Sequence, residues 1–480
     1  MSQPVSTDVT TQPCSEVTVQ QCPRLGQADR RRVLLGTQAG PIAPGWGAAG
    51  QLRTGKIVVA GLGPEGLGAA QRQALAACRC LFAAERHRAL AASLAADNTS
   101  EIRPLTPLPA ALADIAARLP GGDVGVLVGG DPLFFGIGRR LLAHFAPEQL
   151  EFQPALSSVQ LACARFRLPW DDARLVSLHG RNRGHHTASD TNIANAIAGA
   201  RLAGRLLTAP KSVVLTDQRH SPAYIATALR HYLALIGDWT TAAAVRVMVG
   251  ENLGSAEERL FSGDLAETAG EAFAPLNIMI ILNPMAGASL ACGEPVSLGL
   301  RERDFVHQRG MITKDEVRAI TLHKLALPAH GVLWDIGAAS GSISLEAARL
   351  APSLLACAIE QEESRLADLK ANIASLGAFA VLPVAGAAPA VLNELPDPDR
   401  IFIGGSGGRL PAIIAAGAER LAAGGRLVIN GVTAATQEQA PALLRAAGLE
   451  VESSEVAIRR LPAAGRALNF NPITIITGSR

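Results

Sequence analysis

Apolar residues recur along this chain in short runs, each closed by a turn of small residues and followed by a stretch with helical spacing. That alternation predicts an α/β protein built on mostly parallel sheets. The first run, Ile57 to Ala60, leads into a glycine turn (Gly61, Gly63, Gly66, Gly68) and a helix from Ala69. Val124 to Val128 is the next strand, with a tight turn at Gly129, Gly130, Asp131 and Pro132 before a helix that reaches His144. Further strands are predicted within SVVLTDQ, AAAVRVMVGE and LNIMIILN. Periodicity then lapses, and the Pro and Gly punctuation of 285–300 marks a linker between domains spanning 54–284 and 301–480. Residues 1–53, rich in Ser, Thr, Gln, Pro and Gly, read as a disordered extension.

The second domain carries the most informative stretch, HGVLWDIGAASGSISLEAA, from His330 to Ala348. Strand, small-residue turn and helix follow in order, and Gly337 and Gly341 let the backbone approach a ligand that faces the free N–H groups of the helix start. The next strand, LLACAIE, ends in Glu360, where a carboxylate of such a fold accepts ribose hydroxyls. Ala339 stands where the dinucleotide fingerprint has its second glycine and would crowd a pyrophosphate; S-adenosylmethionine (SAM), which has no phosphate, tolerates it. Thr313 reads as the N-cap of the preceding helix, with Glu316 completing a capping box. The loop Gly404 to Gly408 follows a later strand and would lie beside a reacting methyl group.

In the first domain Gly61 to Gly66 matches GxGxxG literally, but Pro64 suits a rigid turn as well as a phosphate cradle. Ser157 and Ser158 sit where strand passes into helix, which serves either ligand binding or helix capping. His179 and Arg181 lie just beyond the strand LVSL, at the edge where open α/β sheets bind ligands, whereas His185 and His186 read as solvated loop residues.

A formal charge of +2 over 480 residues and only two tyrosines and four tryptophans argue against a nucleic-acid surface. Seven cysteines show no metal-ligand spacing, so no metal is expected and a reducing cytoplasm fits. No run reaches the roughly 18 apolar residues of a membrane span, and no signal-peptide core opens the chain.

GMITKDEVRA, WDIGAASGSISLEAA, IFIGGSGG and GGRLVINGVT resemble the C-15 methyltransferases and decarboxylases of cobalamin biosynthesis, which are class I SAM-dependent enzymes. VLVGGDPLFFGIG, PALSSVQLACARFRLPWDDARLVSLHGR, LTDQRHSPAYIATAL and VGENLGS resemble the partner C-5 methyltransferases of the tetrapyrrole methylase superfamily. Together they are similar to the bifunctional precorrin C5,15-methyltransferases (decarboxylating), over roughly residues 55–478. The resemblance implies a tetrapyrrole methylase domain of two α/β subdomains followed by a Rossmann-like methyltransferase domain, with SAM as cofactor and conversion of precorrin-6B to precorrin-8X. It places Thr313, Gly337, Ala338, Ala339, Ser340, Gly341, Glu360 and Ala388 against SAM in the second domain, and Gly129, Gly130, Asp131, Phe134, Ser157 and Ser158 against it in the first. Gly61 and Gly63, with His179 and Arg181, then line the substrate side of the first cleft, and Lys314, His307 and Arg303 are candidates to orient carboxylates or supply protons at the second. A homo-oligomer and handover to neighbouring enzymes of the route are also implied. Two departures stand out: Ala339, and Ala387 where the family carries an acid. The alternatives are a cobalt-bearing substrate, an RNA methyltransferase fusion, a chain with one decayed SAM domain, and a nicotinamide enzyme binding at Gly61 to Gly66.

Overall fold

The computed structural model describes residues 55–96, 100–178, 192–286, 298–308, 310–462 and 466–480, which fall within one compact unit. Its first sheet joins β1 (Ile57–Leu62), β2 (Cys80–Ala83), β3 (Glu101–Pro104), β4 (Val124–Gly129) and β5 (Leu150–Gln153) in the order β3-β2-β4-β1-β5, all parallel. The second comprises β6 (Arg174–Ser177), β7 (Lys211–Leu215), β8 (Arg246–Glu251), β9 (Arg259–Gly263) and β10 (Asn277–Leu282) in the order β6-β7-β10-β8-β9. Here the expectation of mostly parallel pairing fails. Only β6 and β7 run parallel, while β10 is antiparallel to β7 and β8, and β9 is antiparallel to β8. The segment between β8 and β9 is too short for a crossover helix, so the chain doubles back, and composition alone carries no strand direction.

The third sheet joins β11 (His330–Ile336), β12 (Ser353–Glu360), β13 (Val381–Ala385), β14 (Arg400–Ile403), β15 (Arg426–Gly431) and β16 (Glu450–Val456) to β19 (Ile473–Ser479). Two short strands, β17 (Arg459–Arg460) and β18 (Leu468–Asn469), pair separately. In the order β13-β12-β11-β14-β15-β19-β16 the strands run parallel as far as β15, and β19 is antiparallel to both its neighbours. The near-continuous apolar run of β12 is buried along all but its first residue, as a parallel strand covered on both faces requires. Strand order reverses beside β11, with β12 on one side and β14 on the other. Such a switch point opens a crevice at the carboxyl ends of the strands.

The helices Asn192–Leu206 and Pro222–Ile236 pack over the second sheet and also reach the third. One apolar core runs through both regions. Contact is close because Gly204 has no side chain: a Cβ there would lie 2.6 Å from the Ala380 Cβ and 3.0 Å from the Pro352 carbonyl oxygen. Beside it Tyr232 is fully buried and its hydroxyl donates to the Val381 carbonyl at 2.6 Å. Tyr232→Phe keeps the ring and strands that carbonyl, so it is expected to cost about 1–3 kcal/mol of stability. Urea unfolding checks this, and an unchanged midpoint and slope would show that the bond contributes nothing.

Candidate active sites

A cavity of about 540 Å³ lies at the carboxyl ends of β11 to β14. Thr313, Gly337, Ala338, Ala339, Ser340, Glu360 and Ala388 line it, so among the SAM candidates of this domain only Gly341 is missing from the wall. Gly341 instead forms the left-handed N-cap of the helix Ser342–Leu350, at φ +78°. Gly337, at φ +73°, is held within van der Waals distance of the opposite loop: a Cβ would meet the backbone of Gly405 at 2.6–2.8 Å. Ala339 adopts the same left-handed region at φ +48°, so the residue that departs from the glycine pattern occupies a conformation glycine takes without cost.

Glu360 is buried at the end of β12, and each of its oxygens is engaged. Oε2 accepts from the Ala339 amide at 2.9 Å, and Oε1 from the amides of Gln361 and Glu362, both at 2.9 Å. A carboxylate offers about four lone-pair sites, so acceptor capacity remains for a further hydroxyl. The Ser340 hydroxyl is buried in the same wall with no hydrogen-bond partner among the described residues. A nucleoside without phosphate fits this donor and acceptor set. No cluster of metal-ligating side chains occurs among the described residues.

Thr313 is not the N-cap expected of it. The helix Asp315–Leu325 starts one residue later, with Lys314 at its cap and no side-chain cap bond, and Glu316 pairs with Arg460 at 2.7 Å instead of closing a capping box. Of the three proposed proton or carboxylate handlers, only Lys314 lines the cavity, and its Nζ is paired with Glu302 at 2.7 Å. Arg303 is exposed on a single helical turn away from the cavity wall. His307 also lies outside that wall, its Nδ1 buried without a partner among the described residues. Nearness in sequence does not carry these residues to the wall.

Residues not singled out from the sequence complete the wall, among them Arg365, Arg409, Asn430 and Val432. Arg365 could have been sought one helical turn beyond Gln361, and Arg409 at the end of the glycine loop.

In the first half, Gly129, Gly130 and Asp131 lie at the carboxyl end of β4 next to Gly61. A Cβ on Gly61 would lie 2.0 Å from the Gly130 carbonyl oxygen. Gly61 is therefore buried in β1, whereas Gly63 lines a second, more open cavity with Pro64, Glu65, Gly66, Ala155 and Leu156. Asp131 Oδ1 accepts from the Leu133 amide at 2.8 Å, and Phe134 packs against the apolar cluster of the second sheet. Ser157 takes the capping role: its hydroxyl accepts from the Gln160 amide, while Ser158 is exposed on the first helical turn. Pro64 approaches the loop beyond β8, where a Cβ on Gly254 would lie 2.5 Å from the Pro64 Cβ. Thus the two subdomains meet beside the glycine turn. His179 and Arg181 lie outside the described residues.

Known proteins match the chain in two stretches. Residues 56–269 match the family model for tetrapyrrole (corrin/porphyrin) methylases, and residues 304–478 match that for a precorrin methyltransferase domain. The chain is 34% identical over 424 residues to the precorrin-6Y C(5,15)-methyltransferase [decarboxylating] of a Sinorhizobium species, covering 88% of this chain and 95% of that protein. The chain belongs to this family. It is also 38% identical over 185 residues to a probable cobalt-precorrin-6B C(15)-methyltransferase (decarboxylating) of Pyrobaculum calidifontis, covering 37% of this chain and 94% of the relative. A crystal structure of precorrin-6Y C5,15-methyltransferase from Geobacter metallireducens GS-15 shares 39% identity over 38% of this chain and 97% of its own, at a TM-score of 0.38. No helix among the described residues of this family member is long and apolar enough to cross a membrane.

Asp335, the acidic residue of the WDIG turn, does not face the cavity. It lies within β11, its Oδ2 accepting from the Ser344 amide at 3.1 Å and hydroxyl at 2.6 Å, while Oδ1 is buried without a partner among the described residues. Burial pushes its carboxyl up to about 6, against the pull of the Ser344 bonds and with help from the nearby Glu360 charge. Because the folded value lies above the unfolded one, this group's contribution is fully present below about pH 4. It is lost as pH rises through 6, by on the order of 3 kcal/mol. Asp335→Asn is therefore expected to flatten the fall in stability between pH 4 and pH 7. Denaturant melts across that range check it, and parallel curves for variant and wild type would sink the assignment.

Proposed function

We propose that this chain methylates precorrin-6B at C-5 and C-15 and removes the ring C acetate carboxylate as CO2, with SAM as methyl donor. The cavity walled by Gly337 to Ser340 and Glu360 serves C-15 methylation and decarboxylation. The cleft beside Gly129 to Asp131 serves C-5. The observation that carries this reading is the cavity at the switch point of the third sheet, where Glu360 keeps spare acceptor capacity and the Ser340 hydroxyl has no partner among the described residues, in a chain aligned over 95% of a relative so named. Assembly into a homo-oligomer in the cytoplasm belongs to the same reading.

Bound SAM supplies an electrophilic methyl group on a sulfonium. Around it, Glu360 offers its remaining lone pair to the ribose, Ser340 its unpartnered hydroxyl, and Ala388 and Thr313 the flanking walls. The close approach of Gly405 to Gly337 keeps the space between the ends of β11 and β14 narrow, which limits the directions of approach. No nucleophilic side chain is required, because the reduced tetrapyrrole presents electron-rich meso carbons. For decarboxylation the protein must align the breaking bond with the conjugated ring while leaving the departing carboxylate free of a tight ion pair. Lys314, whose charge Glu302 already answers, suits that condition.

Mass spectrometry of precorrin-6B incubated with the full chain and SAM is expected to show two methyl groups gained and one CO2 lost. Glu360→Gln is expected to raise the SAM concentration needed for the C-15 step about tenfold, equivalent to about 1.4 kcal/mol. Conversion of the cobalt-bearing substrate alone would move the assignment to that form. No mass change with either substrate would end it.

A further inference from the structure

Four charged side chains line the cavity at the carboxyl ends of β11 to β14: Lys314, Glu360, Arg365 and Arg409. Two of them are accounted for, Lys314 by Glu302 and Glu360 by three backbone amides. The two arginines are not. Neither forms an ion pair among the described residues; the Arg409 guanidinium donates only to the neutral Gln361 Oε1, at 2.8 Å, and the Arg365 guanidinium makes no hydrogen bond there. Arg409 is exposed at the end of the loop whose Gly407 and Gly408 take left-handed φ values of +55° and +79°, and Arg365 is half-buried on the helix Glu363–Leu376. The same cavity also presents uncovered apolar surface, Met311 at 45% and Val432 at 63% exposure. An apolar wall with unneutralised guanidinium groups suits a ligand with an apolar body and an anionic rim.

Resting on the functional reading above, we infer that Arg365 and Arg409 dock carboxylate arms of the tetrapyrrole and so set specificity for a polycarboxylate macrocycle at the second site. A planar guanidinium fork matches a carboxylate in two parallel hydrogen bonds, which gives orientation as well as affinity. The arms held are those the substrate keeps. A bidentate grip on the carboxylate that departs as CO2 would stabilise the ground state and oppose its loss. The two arginines are therefore positioning residues, and their removal acts on KM and not on kcat.

The experiment uses the full chain and its Arg365→Gln, Arg409→Gln and double variants, with Arg409→Lys as the conservative control. CO2 release reads the second site alone. The KM for the tetrapyrrole is expected to rise on the order of fivefold or more per arginine, with kcat and the dissociation constant for SAM each within twofold of wild type. Lysine, which keeps the charge and loses the fork, should recover only part of the loss. Equilibrium binding of uroporphyrin, a fluorescent octacarboxylate tetrapyrrole, provides a readout that needs no turnover, and the double variant is expected to bind it at least tenfold more weakly. Unchanged uroporphyrin binding together with unchanged KM would overturn the inference. So would weakened SAM binding with tetrapyrrole affinity intact, which would assign the guanidinium groups to the nucleoside. If wild type binds uroporphyrin through these arginines but leaves precorrin-6B unaltered, the functional reading fails and the docking site stands.

Discussion

One buried carboxylate holds the site of the third sheet together. Glu360 ends β12 and gathers three backbone amides, that of Ala339 from the neighbouring loop and those of Gln361 and Glu362 from its own chain. Hydrogen bonds to an ionised acceptor are roughly twice as strong as neutral ones. That strength matters here because the loop is conformationally costly: Gly337, Ala339 and Gly341 all have positive φ, and Ala339 bears a Cβ that resists it. With the loop held against β12, Gly337 can face Gly405 without a side chain between them, and the cavity is left as a narrow crevice over the strand ends. The residue proposed to accept the ribose thus also anchors the loop that faces it.

The parts of this site legible in the sequence are those where backbone geometry dictates residue type. A strand, a loop needing positive φ, a helix start and an acid at the next strand's end leave a local signature, and all of it lies within one stretch of chain. The arginines leave no residue pattern of that kind. Arg365 and Arg409 are brought to one cavity by the order of β12, β11 and β14, and the only local cues are position, one helical turn beyond Gln361 for Arg365 and the end of the glycine loop for Arg409. Nearness in sequence misled in the opposite direction for Arg303 and His307, which precede Thr313 closely but stay outside the wall. At Ser157 the sequence allowed two roles, and the structure gives the hydroxyl to the Gln160 amide. Strand direction in the second sheet was beyond pattern reading, since an apolar run packs equally well either way along the sheet.

The join between the two regions bears on how the site of the third sheet works. Every residue lining that cavity comes from Gly310 onward and gathers at the carboxyl ends of the parallel strands. The close contacts with the first region, at Pro352, Ala380 and Val381, fall just before or at the amino ends of β12 and β13. The eight residues of β12 separate the two edges by about 26 Å at the usual rise of a strand. Tyr232 and Gly204 therefore stiffen the sheet from below without intruding on the crevice above. Rigidity has a use there, because a site that works by alignment loses rate when its walls drift, and the loops carrying Gly337 and Gly405 are only as fixed as the strands beneath them. What fusion of the two regions contributes to this cavity is a firm base for its strands, and none of its wall.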